Sequence, residues 1–508
     1  MRLIDYFDRG ADLYPERHCL HDGTRGWTYA EVRGQTHRVA NGLLALGLGR
    51  GSKAAVYSPN HAAAYACLLG IVRAGVTWAP VNARNALEEN LYILNNTDVE
   101  VLFYHSSFEA YLPRIREACS AIREFICIDR PSFEVWLADQ DPLAPDLPEA
   151  PDDVAFLASS GGTTGRPKGV QITNRNIEAM NSIFWACMPV KPRPVHLMVA
   201  PMTHAAGVCS FPLLAYGGTN IFMGTADPGA ILAAIEKHRV THIYMPPTLI
   251  YMLLAHPDVR KYDYSSLQHL VYASAPMSVD KLVEAIEVFG PVLTQTYGQA
   301  EACMICTFFS PEDHVAALET NNRHRLASCG KVSPLVRLEA MDDQGHILPR
   351  GERGEIVVRG ALVMKGYYNN LEATAEASAF GWHHTGDIGV IDEDGFVYIV
   401  DRKKDMIISG GFNVFPSEVE QVLWGHPAVQ DCAVIGVPDE KWGESVKAVV
   451  ELKPGATASA EELISLAKEK LGGVKAPKSV DFIAALPRSP VGKVLKDRKS
   501  TRLNSSHA

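Results

Sequence analysis

The sequence predicts an α/β protein with a large N-terminal domain of layered α/β subdomains, a β-rich subdomain and a small α+β C-terminal domain. Three observations support this. The 508 residues exceed what one core needs, short apolar runs alternate with helical patterns in the first part, and the pattern changes near Ser333 and again after Asp401. We therefore expect an N-terminal domain over 1–400, with its β-rich subdomain at about 333–400, and a C-terminal domain over 401–496.

The first 150 residues carry the signals of alternating strands and helices. Trp27–Glu31 resembles a strand end that runs into a helix, and Ala54–Tyr57 and Val101–Tyr104 are short apolar runs typical of buried strands. Pro131–Pro151 is rich in proline and acidic residues, which indicates a surface linker. The remaining pattern favours helices layered on a sheet.

The second half predicts two smaller β-containing units. Val336–Met341 and Gly354–Arg359 alternate like strands and are separated by turn residues. Beyond Asp401, Pro416–Leu423 has the apolar spacing of a helix, and Val429–Gly436 and Val446–Leu452 are strand-like. These segments predict an α+β domain.

The end of the chain contains one clear helix signal and one segment that we exclude. Ser459 and Glu462 form a capping box that opens a helix, which we expect to end at Gly472. The last residues, Asp497–Ala508, are polar, and the run Asp497–His507 can be back-translated into DNA resembling a sequencing-library adapter. We expect this tail to be non-native; a native codon run at the genomic locus would contradict that expectation.

Composition limits the classes of function. The net charge is −10 without a basic stripe, so we expect no nucleic-acid partner. The longest uncharged apolar stretch, Ala62–Val72, is too short for a membrane span, and the start of the chain lacks the apolar core of a signal peptide, so we expect a cytoplasmic protein. Cys303 and Cys306 lack a second pair at zinc-site spacing, which favours packing cysteines.

A glycine-rich loop is the strongest local motif. Residues 159–169 read SSGGTTGRPKG between two strand-like runs, and Gly169 after Lys168 rules out a Walker A loop. Glycines such as Gly165 allow backbone N–H groups to approach phosphate oxygens. Thr163 and Thr164 add hydroxyl donors and Lys168 adds a cation, so the loop predicts a phosphate site.

With the motifs that follow it in order, this loop resembles the signature of the adenylate-forming superfamily, which includes acyl-CoA synthetases. The resemblance extends essentially to Leu495. It implies ATP, Mg²⁺ and coenzyme A as the reactants and cofactor. In the segment Pro201–His204, it implies that His204 gates the acyl pocket. It also places Ser274, Ala275 and Pro276 along the adenine.

The segment Thr296–Glu301 resembles the Tyr-Gly-x-Thr-Glu motif of this superfamily. The resemblance implies that Tyr297 and Gly298 lie near the adenine and that Glu301 binds Mg²⁺ on the phosphates. Ala300 replaces the usual threonine, a loss that would cost about 0.5–1.5 kcal/mol if nothing compensates for the missing hydroxyl. Gly161 is a second departure, because many members have serine there.

The C-terminal motifs imply a hinge and a mobile domain. Asp387 resembles the carboxylate that accepts hydrogen bonds from the ribose hydroxyls, and Arg402 would also reach the ribose. Asp401 resembles the hinge residue. Gly410 and Gly411 resemble the loop that lines the pantetheine tunnel of coenzyme A.

The motif Pro487–Lys493 makes Lys493 the catalytic lysine that the resemblance implies. Lys493 would neutralise charge while a carboxylate attacks the α-phosphorus, and the small domain would then rotate to admit a thiol. For the acid, small and apolar residues around His204 favour a medium- or long-chain fatty acid first and an aryl or cinnamic-type acid second.

Several alternatives stay open at this stage. The enzyme could load a carrier protein instead of coenzyme A, or act as a luciferase-like oxygenase, and a nucleotide-binding pseudoenzyme is the non-enzymatic hypothesis. The sequence leaves both a monomer and a homodimer open. A carboxylic-acid panel scored by pyrophosphate release with and without coenzyme A would be the most informative experiment, and thiol-acceptor assays would separate coenzyme A from a carrier protein.

Overall fold

The computed structural model describes residues 1–148, 150–160, 167–439, 442–488 and 494–496. Its helices are α1 (Leu3–Leu13), α2 (Tyr29–Ala45), α3 (Ala62–Arg73), α4 (Leu87–Asn96), α5 (Leu112–Ala118), α6 (Pro131–Ala138), α7 (Asn174–Cys187), α8 (Ala205–Val208), α9 (Phe211–Leu214), α10 (Pro228–Lys237), α11 (Pro247–Leu254), α12 (Val279–Phe289), α13 (Pro311–Glu319), α14 (Arg323–Leu326), α15 (Leu371–Ala377), α16 (Pro416–Trp424) and α17 (Ala460–Lys475).

The strands alternate with these helices in the first part of the chain. They are β1 (His18–His21), β2 (Gly26–Thr28), β3 (Lys53–Ser58), β4 (Thr77–Asn82), β5 (Val101–Tyr104), β6 (Glu124–Cys127), β7 (Val154–Ser159), β8 (Gly169–Thr173), β9 (Val195–Met198), β10 (Thr219–Phe222), β11 (His242–Met245), β12 (His269–Tyr272), β13 (Leu293–Tyr297), β14 (Thr307–Phe309), β15 (Lys331–Val332), β16 (Val336–Met341), β17 (Arg353–Gly360), β18 (Gly366–Tyr367), β19 (His383–Ile391), β20 (Val397–Arg402), β21 (Ile407–Ser409), β22 (Phe412–Val414), β23 (Val429–Asp439), β24 (Gly443–Leu452) and β25 (Ser479–Phe482). The predicted α/β class is confirmed.

Two large sheets build the first part of the protein. One has nine strands in the order β15-β14-β13-β12-β11-β9-β10-β1-β2, and the other has seven in the order β18-β8-β7-β4-β3-β5-β6. Strands β13, β12, β11 and β9 are parallel neighbours. Their carboxyl ends therefore meet at one edge, which is where open α/β sheets bind ligands.

The later part of the chain forms two smaller sheets. Strands β16, β17, β19 and β20 make an antiparallel sheet, and β21 to β25 make a five-stranded sheet covered by α16 and α17. The strands predicted around 336–359 and 429–452 are all present. The proposed domain boundary at 400/401 falls within β20, and it stays a prediction.

Local sequence signals explain several element ends. The Thr28 side chain accepts a hydrogen bond from the Glu31 N–H in a capping box that opens α2. The predicted box of Ser459 and Glu462 opens α17 in the same way. Gly472 then departs from helical geometry with φ 81°, which is where we expected this helix to end.

The prediction of a linker over Pro131–Pro151 was wrong in its first part. Pro131–Ala138 forms α6, with proline at the first helical position, where its missing N–H is harmless. Phe133 and Leu137 are buried, so tertiary packing outweighs the proline-rich composition. Among the described residues, no helix is long and apolar enough to span a membrane.

Candidate active site

The base of the predicted phosphate loop is a closed strand–loop–strand. Strands β7 and β8 pair antiparallel, with Ser159 opposite Gly169. The Ser160 N–H donates to the Lys168 carbonyl at 2.9 Å, and the Lys168 N–H donates to Ser160 Oγ at 2.9 Å. The sequence prediction of two strands is confirmed. The loop members Thr163, Thr164 and Gly165, and the departure at position 161, lie outside the described residues.

Lys168 stands beside a tyrosine that links it to the predicted metal ligand. Its Nζ lies 4.6 Å from the centroid of the Tyr367 ring, and the Tyr367 hydroxyl donates to Glu301 Oε1 at 2.9 Å. Burial, followed by the negative charge of Glu301, raises the pKa of Tyr367 above its ordinary value, which keeps the hydroxyl protonated as a donor. Glu301 itself is only 8% exposed.

Tyr367 lies outside every motif identified in the sequence. It lies on β18, which pairs with β8 directly after the phosphate loop, so sheet pairing across almost 200 residues brings it to the site. The run Gly366-Tyr367-Tyr368 is the signal that could have identified it.

The residues predicted to hold the adenine all line one cleft of about 2180 Å³. Ser274, Ala275 and Pro276 follow the carboxyl end of β12, and Tyr297 ends β13 with Gly298 after it. Because β12 and β13 are adjacent and parallel, the two segments lie side by side. The sheet therefore brings together two segments whose nearest residues, Pro276 and Tyr297, are 21 positions apart in the sequence.

Asp387 and Arg402 face each other across two paired strands. Asp387 on β19 lies opposite Arg402 on β20, and Arg402 Nε is 2.7 Å from Asp387 Oδ1. The Tyr297 hydroxyl donates to Asp387 Oδ2 at 2.6 Å. Burial, and then the charge of Asp387, raises the pKa of Tyr297 well above its ordinary value. Both carboxylate oxygens thus have protein donors and retain lone pairs for further hydrogen bonds.

The segment Thr296–Glu301, in which Ala300 departs from the superfamily pattern, is hydrogen-bonded to β19 through Gln299. Gln299 Nε2 donates to the Thr385 carbonyl at 3.1 Å, and its Oε1 lies 3.1 Å from His383 Nε2. Ala300 packs against the apolar core instead of presenting a hydroxyl. Nearby Thr296 has a buried hydroxyl without a hydrogen-bond partner among the described residues.

His204 begins a short helix that borders the cleft. It is the N-cap residue of α8, and its Nδ1 lies 2.9 Å from Thr203 Oγ1. A Cβ at Gly207 would lie 1.8 Å from the Met202 carbonyl oxygen, so only glycine allows this tight approach. His204 and Ala205 line the cleft, and the role of this segment in an acyl pocket stays a prediction.

The predicted hinge residue joins the two small sheets. Asp401 is 9% exposed, and its two oxygens accept the Arg402 N–H at 2.7 Å and the Ser417 N–H at 2.8 Å. The Ser417 hydroxyl also donates to the Val400 carbonyl. One carboxylate therefore connects the end of β20 to the first turn of α16.

The C-terminal segment approaches the cleft, while the glycine loop does not. Lys493 lies outside the described residues, but Arg488 and 494–496 line the cleft. Gly410 and Gly411 form the turn between β21 and β22 with φ 58° and 81°, as a tight hairpin requires. Within the described parts of the chain, no residue of this hairpin contributes to the cleft lining.

Sequence reasoning also missed a buried ion pair beside the hinge. Lys496 Nζ lies 2.5 Å from Glu420 Oε1. Burial favours the neutral lysine, but the charges of Glu420 and Asp401 outweigh it and raise the pKa of Lys496. No sequence signal marked this pair, because Glu420 lies on α16 and Lys496 lies 76 residues later.

Comparisons with known proteins agree with this geometry. The AMP-binding enzyme family matches residues 7–368, and the AMP-binding enzyme C-terminal domain matches residues 418–493. A feruloyl-CoA synthase of Amycolatopsis sp is 38% identical over 492 residues, which cover 96% of each chain. The medium/long-chain-fatty-acid–CoA ligase FadD8 of Mycobacterium tuberculosis is 41% identical over 384 residues, covering 74% of this chain and 65% of that protein.

A solved structure extends the likeness to the whole fold. ATP-bound MatB from Rhodopseudomonas palustris superposes with a TM-score of 0.88 at 30% identity, covering 98% of both chains. Sequence and fold thus agree over the large N-terminal part and the small C-terminal part. The chain belongs to the AMP-binding enzyme family and is an adenylate-forming acid–CoA ligase.

Proposed function

We propose that this ligase activates an aryl-substituted carboxylic acid of the cinnamic type, forming the acyl adenylate from ATP and then the coenzyme A thioester. The observation that carries the adenylation step is the convergence of Tyr297, Asp387 and Arg402 at one end of the cleft. Glu301 and Lys168 lie along the same cleft. The groups that we assign to the nucleotide come from distant segments and meet in one cleft beside the apolar side that we assign to the acid.

The chemistry requires a poor leaving group to be replaced. A carboxylate oxygen leaves badly, whereas AMP leaves well, so adenylation prepares the acyl carbon for thiol attack. The substrate carboxylate attacks the α-phosphorus, the bond to the pyrophosphate oxygen breaks, and pyrophosphate leaves. The protein contributes positioning and charge stabilisation, and we assign the main cation to Lys493.

Glu301 is the residue that we propose as the Mg²⁺ ligand. Its carboxylate offers a hard oxygen donor, lies at the cleft and is oriented by the Tyr367 hydroxyl. Bound Mg²⁺ would neutralise phosphate charge. Asp387 would accept hydrogen bonds from the ribose hydroxyls, and its remaining lone pairs are sufficient for this.

We propose that the small domain rotates about Asp401 between the two half-reactions. Arg488 and residues 494–496 line the cleft, whereas the Gly410–Gly411 turn does not. We assign this arrangement to the adenylation step. Thioester formation would require the turn to replace the lysine segment, as in other hinged domain closures.

The aryl acid is preferred because the feruloyl-CoA synthase matches 96% of both chains at 38% identity. The apolar residues that line the acyl side, such as Ala205 and Val208, suit an aryl ring and an alkyl chain alike. A medium- or long-chain fatty acid, the first expectation from the sequence, is the second candidate, because FadD8 is 41% identical over a shorter region.

A carboxylic-acid panel tests this proposal. Pyrophosphate release is measured with cinnamic, ring-substituted cinnamic, octanoic and palmitic acids, each with and without coenzyme A. The proposal expects the highest kcat/KM for the cinnamic acids and a thioester product only when coenzyme A is present. Higher turnover of the fatty acids would contradict the aryl assignment, and absence of pyrophosphate release with every acid of the panel would contradict both candidate substrate classes.

A further inference from the structure

A hydrogen-bonded pair of hydroxyl groups interrupts the apolar side of the cleft. The Tyr244 hydroxyl lies 2.5 Å from Ser274 Oγ, and both residues line the cleft. Tyr244 is on β11 and Ser274 follows β12, the adjacent parallel strand. The pair therefore lies at the same sheet edge as the nucleotide site, displaced by one strand from Tyr297.

The surroundings of this pair place it on the acyl side. Helix α8, which follows His204, packs against β11. Cys209 ends that helix, and its Sγ lies 3.9 Å from Met304 Sδ. Burial, the largest cause, raises the pKa of the Tyr244 hydroxyl, so this hydroxyl stays protonated, and the Tyr244 side chain belongs to a cluster of buried apolar residues.

The backbone of Ser274 makes this side chain unusual. Its φ is +74°, a left-handed conformation that glycine adopts freely and that a residue with a Cβ adopts at a steric cost. Unfavourable backbone conformations persist mainly where function or surrounding structure requires them. A glycine would make the same turn without this cost, so what the serine adds is its hydroxyl.

The pair retains hydrogen-bonding capacity after its internal bond. Two hydroxyls provide two donor hydrogens and four acceptor lone pairs. The bond between Tyr244 and Ser274 uses one donor and one acceptor. One donor and three acceptors remain, which matches a phenolic hydroxyl or another oxygen substituent. An unsubstituted ring or an alkyl chain would leave the remaining donor without a partner.

We propose that Tyr244 and Ser274 form a specificity-determining subsite for an oxygen substituent on the acyl group, which makes an oxygenated aryl acid the preferred substrate. This inference rests on the proposed function and narrows it. The Ser274 backbone stays beside the nucleotide while its hydroxyl serves the acid.

The test compares cinnamic acid with 4-hydroxycinnamic acid. The readout is the ratio of their kcat/KM values for pyrophosphate release, measured for the wild type and for Tyr244→Phe, Ser274→Gly and the double variant. Ser274→Gly removes the hydroxyl and also the steric cost of the positive φ at this position. We therefore expect this variant to fold. Tyr272→Phe is the matched control, because Tyr272 is on the neighbouring strand and its hydroxyl contacts buried His314.

The wild type should prefer the hydroxylated acid, and either single variant should reduce that preference by roughly 3–10-fold. The double variant should lose little more than the stronger single variant, because the two hydroxyls act as one unit. The control should keep the wild-type ratio.

Two results would overturn the inference, and they are distinguishable. Turnover of both aryl acids with the same ratio in the wild type and all pair variants would refute the subsite while leaving the proposed function intact. Turnover of octanoic acid with no pyrophosphate release from either aryl acid would refute both.

Discussion

The nucleotide end and the acyl end of the cleft are built by different means. The nucleotide end consists of charged and polar groups in direct contact, such as Asp387 with Arg402 and Tyr297. The acyl end is a short helix, α8, with small residues packed against β11. Under the proposed function, the first end binds the ATP that every acid requires, and the second is shaped by packing. Changes at the nucleotide end should therefore affect all acids alike, whereas changes at the acyl end should discriminate among them.

The largest effect is expected at Lys493. Lys493→Ala should reduce adenylation by about 10³-fold for every acid, because it removes the cation that stabilises the charge developing at the α-phosphate. Thioester formation from supplied acyl adenylate should continue. The two half-reactions are measured separately, by pyrophosphate exchange and by thioester yield. An equal loss in both would contradict the assigned division between them.

The second-largest loss of activity is expected at Asp387, the carboxylate that we assign to the ribose hydroxyls. Asp387→Asn should reduce kcat/KM for ATP by about 10²-fold, because charged hydrogen bonds to Arg402 and to the nucleotide are lost together. Asp392→Asn is the matched control at the distant turn between β19 and β20, where Asp392 accepts the Phe396 N–H. A loss of kcat/KM for ATP in Asp387→Asn that differs strongly between aryl and aliphatic acids would contradict the distinction between the nucleotide end and the acyl end.

A bulky residue at the acyl end should reduce activity by an amount that depends on the acid, unlike the changes at Lys493 and Asp387. Ala205→Trp places an indole where a methyl group lines the cleft. We expect kcat/KM to fall about tenfold or more for cinnamic acids and less for acetic acid, because pocket size discriminates by volume. KM for ATP serves as the internal control. A uniform loss for all acids would show that the helix supports the nucleotide end as well.

The smallest effect is expected at Tyr367. Tyr367→Phe retains the ring beside Lys168 but removes the hydroxyl that donates to Glu301. We expect a loss of about 3–10-fold in kcat and a higher Mg²⁺ concentration at half-maximal activity. Tyr368→Phe is the matched control, because the Tyr368 hydroxyl contacts Lys53 and Asp98 instead. The same Mg²⁺ concentration at half-maximal activity in both variants would contradict a role of Tyr367 in orienting Glu301.

The difference between the two ends also explains what the sequence could predict. The nucleotide end is made of short local motifs, so the motifs around Tyr297, Asp387 and Arg402 could be identified one by one. Their meeting in one cleft depends on strand order, which no local pattern contains. The acyl end depends on contacts such as that of Tyr244 with Ser274, and these come from adjacent strands whose pairing the sequence does not show.

The fold was likewise predictable where it depends on neighbouring residues and not where it depends on tertiary packing. Capping boxes and alternating strands were identified because they depend on neighbouring residues, as in Thr28 with Glu31. Helix α6 was missed because proline and acidic residues suggested a linker, whereas burial of Phe133 and Leu137 decided the outcome. The buried pair of Glu420 and Lys496 had no local signal at all.

That buried pair determines how far the chain can be shortened from its C-terminal side. Glu420 also accepts the Val434 N–H at 2.7 Å, so it is fixed on the core of the five-stranded sheet. Removal of Lys496 would leave a buried carboxylate without its cation, a change that typically costs about 3–5 kcal/mol. Proteolytic trimming or a fused tag after Lys496 should therefore be tolerated, whereas trimming one residue further should loosen the whole small domain.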